Sequence, residues 1–531
     1  MRYLLHRLVD DAAAREPSRD AVRCRGEALT YEALVRQANG LAHELVARGV
    51  RRGDRVGVLL GKGVACAVAI HAIMKAGAAY VPLDPGAPAL RHAFIVEDGG
   101  LRVLITEPRR RRQLAQLAEA TQAIEHVIGV EGEAGDGLTW AQIAAGGRDQ
   151  APPVAVTEQD PCYILYSSGS TGTPKGIMHS HRSAMAWAEV SAAEHQLVPD
   201  DRISNYAPLH FDLSTLDYFA GALAACTMVM VPEEHARMPA SLAQLLEEEA
   251  MSLFYTVPFA LIQLVTSKAL EERPLPALTR VLFGGEPMTI KHLRRLQQLL
   301  PHVSFCNVYG PTEVNGCTRY YVPPIAADDA PSLPIGTPYD NVEALVIDAD
   351  GQGVTPGETG ELAIRAPTMM RGYWNREDLM AKAYHDVARY PACSPDRFYR
   401  TGDIVIQRDD GNFDFLGRAD RLIKTRGCRV DLDEIEATLA ACEGVEEAAV
   451  FPVTDGTGTL AVHASARQAP DGELEAAPLQ RALKARLPAY AVPVALTVVD
   501  EFPRTTSGKV DRRALRLAAE AHHDNNNAQP A

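Results

Sequence analysis

Through its first half the sequence alternates amphipathic stretches of helical length with short apolar runs, and this alternation most limits what the chain can fold into. Ala67 to Ala76 reads as a helix stopped by Gly77, and Tyr80 to Leu83 reads as a strand that ends before Pro85. Cys162 to Tyr166 is a further apolar strand. Short strands spaced by helices predict parallel sheets and an α/β class. At 531 residues the chain exceeds one compact core, so two or more domains are expected.

Near residue 340 the texture changes. Ala344 to Ile347 runs into Asp350-Gly351 and on to Leu362–Ile364, and Asp410-Gly411 separates 404–407 from 413–416. Asp-Gly between short apolar runs signals hairpins, which predicts an antiparallel subdomain. Beyond Gly417, Asp433 with Glu436 resembles a capping box, and Ile435, Leu439 and Cys442 share one helix face. A small α+β domain over 421–517 is expected, followed by a disordered tail over 518–531.

A formal charge of −15 argues against nucleic-acid binding despite the basic run Arg109 to Arg112. Nine dispersed cysteines without a CxxC pair suit a reducing compartment. The first residues read as an amphipathic helix rather than a signal peptide, and no run is apolar for the length of a bilayer span. The expected location is the cytoplasm, with no membrane partner.

The stretch from Tyr166 to Gly176, YSSGSTGTPKG, follows its strand directly. Glycines let backbone N–H groups approach phosphate oxygens, hydroxyls add donors, and Lys175 adds one compact charge. Ser167, Ser168, Gly169, Ser170, Thr171, Gly172 and Lys175 are therefore candidate polyphosphate ligands. The spacing is not that of a Walker A loop.

This loop resembles the signature of the adenylate-forming superfamily, which includes peptide-synthetase adenylation domains and acyl-CoA ligases. The resemblance continues in order through Leu29–Leu34, Met74–Pro85, Asn307–Glu313 (NVYGPTE), Arg371–Trp374 (RGYW), Tyr399–Asp403 (YRTGD), Gly417–Asp420 (GRAD), Leu487–Pro493 and Ser507–Arg512 (SGKVDR). It implies a large domain (1–417) of mixed, mainly parallel sheets with helices and a small β subdomain, a hinge (418–420), and a small mobile C-terminal domain. The implied reaction consumes ATP with Mg²⁺. Glu313 matches the metal-associated acid, Thr312 a phosphate contact, Tyr309 the ring against adenine, and Asp403 the ribose ligand. Gly284, Gly285 and Glu286 resemble the loop beside adenine, with Asn307, Val308 and Gly310 next to it, and Arg418 near ribose and phosphates. Lys509 matches the catalytic lysine that contacts the substrate carboxylate and α-phosphate. Asp420 matches the hinge, with Lys424 and Gly427 on the segment that turns for thioester formation.

Asp212, in NYAPLHFDLSTLDY, falls where amino-acid-activating members place the partner of the substrate amine. Leu213, Leu216, Tyr255, Leu282, Gly284, Val308, Gly316 and Cys317 complete an inferred pocket without charge, which implies an uncharged side chain. The set resembles both stand-alone proline ligases and stand-alone β-amino-acid ligases, and its two glycines suggest a roomier pocket than the proline set. The expected acceptor is the phosphopantetheine arm of a carrier protein met in trans. The alternatives are an acyl- or aryl-CoA synthetase and a non-catalytic protein of the same fold.

Overall fold

Three sheets carry the first of two compact units in this computed structural model. Residues 3–132, 135–167, 174–326, 333–389, 393–454, 459–468, 474–504 and 510–527 are described, with side chains to 520. The first unit comprises 1–85, 92–166 and 176–417, and the second comprises 86–91, 167–175 and 418–531.

A seven-stranded sheet runs in the order Gly372–Tyr373, Lys175–Ser180, Pro161–Ser167, Ala79–Pro82, Arg55–Leu59, Val103–Thr106, His126–Ile128. Its last five strands are parallel, as the helix–strand alternation predicts. A nine-stranded sheet contains Ser304–Tyr309, Arg280–Gly284, Leu253–Thr256, Arg202–Asn205, Thr227–Met230 and Asp20–Cys24 as parallel neighbours. Strands parallel and covered on both faces must be apolar on both, which is why their sequences read as continuous runs.

The main core lies between these two sheets. Val58, Tyr80 and Tyr163 from one sheet and Val22, Ile203 and Leu282 from the other share a buried cluster with three helices, Tyr31–Ala47, Val64–Lys75 and His181–Glu194. The far face of the nine-stranded sheet offers Phe254, Val281, Phe283 and Phe305 to another cluster, covered by helices Pro239–Glu248, Pro258–Thr266 and Ile290–Leu299. The third sheet, built on Glu343–Ile347, Thr359–Arg365, Asp396–Gln407 and Tyr384–Val387, is antiparallel, as the Asp-Gly signals suggested.

In the second unit a hairpin pairs Leu422–Thr425 with Cys428–Asp431. Its two-residue turn has positive φ at Arg426 (52°) and Gly427 (80°), the geometry that suits the twist of a tight hairpin. A three-stranded sheet and the helices Leu432–Ala440 and Ala476–Lys484 complete the α+β texture.

Two expectations are corrected here. The cap of helix Leu432–Ala440 is Asp431, whose carboxylate accepts from Asp433 N at 2.9 Å. Glu436 instead accepts from Val450 N and from the guanidinium groups of Arg421 and Arg512, so the spacing Asp433–Glu436 mimics a capping box without being one. The last helix spans Arg512–Asn527, past residue 517. Alanine and leucine between 514 and 521 favour helix enough to carry the backbone through the polar stretch behind them.

Candidate active site

One strand organises the polar end of the site. On Lys175–Ser180, the imidazole of His179 is fully buried and burial lowers its pKa to about 4, so it is neutral. Its Nε2–H donates to the carbonyl of Thr312 at 2.9 Å, which leaves Nδ1 as acceptor toward Ser183 and Asn315. The same strand pairs through Ile177 and Met178 with Tyr373 and Gly372. That pairing brings the Tyr373 hydroxyl to Glu313, to whose Oε1 it donates at 2.9 Å. Met370 N donates to the Glu313 carbonyl at 2.6 Å. Glu313 is wholly buried, and a buried carboxylate requires a donor such as the Tyr373 hydroxyl.

Tyr309 and Asp403 meet directly: the tyrosine hydroxyl donates to the carboxylate, and both are buried. Burial, then the Asp403 charge, pushes the Tyr309 phenol far up. Thr312 is half-buried at the start of the Glu313 turn, and Gly310 opens that turn. Asn307 lies on the opposite strand face from Val308, and its amide donates to the carbonyl of Pro334 at 2.9 Å. Gly285, with φ at 93°, turns the chain out of its strand toward half-buried Glu286.

Four residues of the inferred side-chain pocket, Tyr255, Leu282, Gly284 and Val308, share one face of the nine-stranded sheet. Tyr255 pairs with Leu282 and Gly284 with Val308, so in-register neighbours spaced by two residues share that face. Tyr255, Leu282 and Val308 belong to the central cluster together with Leu216, and half-buried Leu213 packs against it. Phe254 packs on the far side, which selects Tyr255 as the residue on this face. Cys317 does not join the patch. It is fully buried with Tyr309 and Val314 in the cluster of the antiparallel subdomain, because its N–H donates to Tyr309 O at 2.8 Å and aligns it beside that strand's end.

The two glycines of the inferred pocket, Gly284 and Gly316, leave no open space, contrary to the sequence expectation. A Cβ on Gly284 would stand 2.2 Å from the Val308 carbonyl oxygen, and one on Gly316 would stand 2.3 Å from the Trp187 ring. Each glycine marks a close approach rather than a void.

Asp212 sits half-buried in a turn before a π-helical segment, Leu216–Ala220. Its carbonyl accepts from Thr215 N at 2.9 Å and Thr215 Oγ1 at 2.6 Å. Its charge is felt by Tyr163 and Tyr255, whose phenols are pushed up by burial first and by Asp212 in addition. The loop carrying Asp212 is clasped at its base: Asn205 Nδ2 donates to Asp217 Oδ2 at 3.0 Å. Lys62 Nζ donates to the carbonyls of Asn205 and Tyr206. Burial pulls the Lys62 ammonium down to about 7 against the opposing charge of Asp217. Neither Lys62 nor Asp217 announces itself in the sequence, since each contacts partners distant along the chain.

Of the remaining predicted residues, Lys509 and 168–173 lie outside the described residues. Ser167, Lys175, Arg418, Asp420, Lys424 and Gly427 belong to the second unit. There Arg418 donates from Nε and Nη2 to the two oxygens of Asp420, at 2.6 and 2.8 Å. Burial raises the Asp420 carboxyl, but the Arg418 guanidinium outweighs it and holds the pKa low. Tyr373, which orients Glu313, lies within RGYW, where the sequence assigns it no role; a phenol two residues from the motif's arginine carries no signal of its own.

A family model described as AMP-binding enzyme matches residues 9–374, and one for the AMP-binding enzyme C-terminal domain matches 434–509. The chain is an AMP-binding enzyme. It belongs to the adenylate-forming superfamily, and its activity class is that of an adenylate-forming ligase. This AMP-binding enzyme is 35% identical over 97% of its length, and 99% of the relative's, to an L-proline--[L-prolyl-carrier protein] ligase of Pseudomonas fluorescens. It is 32% identical over 96% of its length to tyrocidine synthase 3 of Brevibacillus parabrevis, of which it spans 8%. Among solved structures it superimposes on the amide bond synthetase McbA of Marinactinospora thermotolerans with a TM-score of 0.85, at 25% identity, covering 97% of this chain and 99% of that one. Among the described residues no helix is long and apolar enough to cross a membrane.

Proposed function

We propose that this AMP-binding enzyme activates an amino acid with an uncharged, aliphatic side chain, proline-like or a β-amino acid, as its aminoacyl-adenylate and transfers it to the phosphopantetheine thiol of a separate carrier protein. The observation that carries the reading is Asp212: a carboxylate at the edge of an apolar sheet face. A substrate ammonium pairs with it through a charge-assisted contact that an acid without the amine cannot make. The resemblance to the prolyl-carrier protein ligase supports the same class.

In the first step a substrate carboxylate oxygen bonds to the α-phosphorus of ATP, and the bond to pyrophosphate breaks. Thr312 and Glu313, on a turn to which His179 and Tyr373 hydrogen-bond, take part in this step. Among the described residues no group of three or more acidic, histidine or cysteine side chains could hold a metal. One buried carboxylate fits Mg²⁺, which takes one or two protein oxygens and completes its shell with water and substrate phosphates. Glu313 would hold it, and the ion would neutralise charge on the phosphates. Asp403 accepts from hydroxyls, as its bond from Tyr309 demonstrates, and suits ribose. Lys509 supplies positive charge where the carboxylate meets the phosphate. In the second step the thiolate attacks the acyl carbon and AMP leaves. Asp420 serves as the hinge between the steps, with Lys424 and Gly427 on the moving segment.

The test is pyrophosphate release over α- and β-amino acids, fatty acids and aryl acids, followed by mass spectrometry of a phosphopantetheinylated carrier protein. Turnover confined to amino acids, with the aminoacyl mass on the carrier, supports the reading. Turnover on an acid lacking the amine, with transfer to coenzyme A, rejects it.

A further inference from the structure

The missing side chain at Gly316 is not missing volume. A Cβ there would stand 2.3 Å from Trp187 Cη2 and 2.6 Å from Cζ3, so the far edge of the indole occupies the space into which residue 316 would project. Trp187 lies on the buried face of helix His181–Glu194 with Ala184, Ala188 and Ser191, at helical spacing, and is 2% exposed. It packs in the cluster that holds Leu216, Tyr255, Leu282 and Val308. The ring cannot simply swing away. Tyr339 stands against it edge to face, with centroids 5.7 Å apart and planes at 87°. Tyr339 is itself held, by His195 Nε2 at 3.2 Å from its hydroxyl and by the Arg319 guanidinium 5.4 Å over its ring. A rigid aromatic wall thus stands where sequence comparison of position 316 alone would read open space.

We propose that Trp187 is a specificity-determining residue: its ring, rather than residue 316, limits the depth of the amino-acid side-chain pocket. The inference rests on the reading above that Gly316, Tyr255 and Leu282 border the substrate. Position 316 and position 187 then act as one unit. A methyl at 316 is incompatible with the indole, and a smaller residue at 187 opens the floor or accommodates that methyl. One methylene in an apolar pocket changes discrimination by about 10- to 200-fold, so exchanging an indole for a smaller side chain has room to act.

The experiment measures kcat/KM for pyrophosphate release over uncharged amino acids of increasing side-chain size, in wild type, Trp187→Phe, Trp187→Leu, Gly316→Ala and Gly316→Ala/Trp187→Leu, each checked by Tm. Expected are a shift of the large-to-small ratio by at least about 10-fold in Trp187→Leu, a smaller shift the same way in Trp187→Phe, loss of activity in Gly316→Ala, and its recovery in the double variant. An unchanged ratio in folded, active Trp187→Phe or Trp187→Leu, or additive losses in the double variant, overturns the proposal. If wild type turns over only acids without an amine, the reading as an amino-acid ligase fails. The same ratio measured on those acids then still decides the role of Trp187.

Discussion

The two ends of the site are built differently. The polar end of the candidate site consists of hydrogen-bonded pairs, His179 with the Thr312 carbonyl, Tyr373 with Glu313 and Tyr309 with Asp403, most of these residues lying inside contiguous motifs. The side-chain end is an apolar sheet face, with Tyr255, Leu282, Val308 and Leu216 brought together from scattered positions, and one carboxylate, Asp212, at its border. Hydrogen bonds demand particular atoms at particular places, so the polar end tolerates little change. Apolar packing demands volume, so the other end can be retuned by exchanging sizes.

Changes at the polar end are expected to remove turnover, and changes at the apolar end to redirect it. The largest effect belongs to Lys509→Ala, expected to reduce adenylation by about 1,000-fold or more while ATP still binds. Unchanged pyrophosphate release would remove the role assigned to this lysine. Asp212→Ala is expected to lower kcat/KM for amino acids by about 100-fold, with acids lacking the amine little affected. Equal losses on every carboxylate would make Asp212 a structural residue of its turn and blur the comparison. Tyr373→Phe removes the hydroxyl that donates to buried Glu313, and a drop in kcat of about 10-fold is expected, since a buried charge loses one of its donors. A wild-type kcat would show that Glu313 needs no orientation from this phenol.

The smallest effect sharpens the polar end by pH. His179 titrates at about 4 in the folded chain against 6.5 unfolded. The unfolded state therefore binds the proton first, and stability is lost as pH falls from 6.5 to about 4. His179→Gln lacks this proton, so the stability advantage of wild type shrinks by about 1 kcal/mol per pH unit on acidification across that window. Parallel curves from denaturant titrations would mean that the ring is not held neutral.

The candidates of the polar end could be proposed from sequence because they follow one another: NVYGPTE contains Tyr309, Thr312 and Glu313, and YRTGD contains Asp403. Even there, His179 carries no signal, since a lone histidine in a strand shows nothing of the Thr312 carbonyl it meets. At the apolar end the sequence misjudged the space at its two glycines. Gly284 and Gly316 read as absent side chains, and the neighbours that fill those places, the Val308 carbonyl and the Trp187 ring, come from other elements.

By itself the sequence determined the alternating elements, the antiparallel subdomain and the superfamily, because periodicity and contiguous motifs are local properties. Only the tertiary structure decided which face of each strand meets which helix, that Glu436 braces Arg421 and Arg512 instead of capping, and that the ring of a tryptophan from a distant helix occupies the space beside Gly316. Those outcomes depend on register and on packing between elements far apart in the chain. A side chain's neighbours there are set by the whole sheet rather than by the residues beside it.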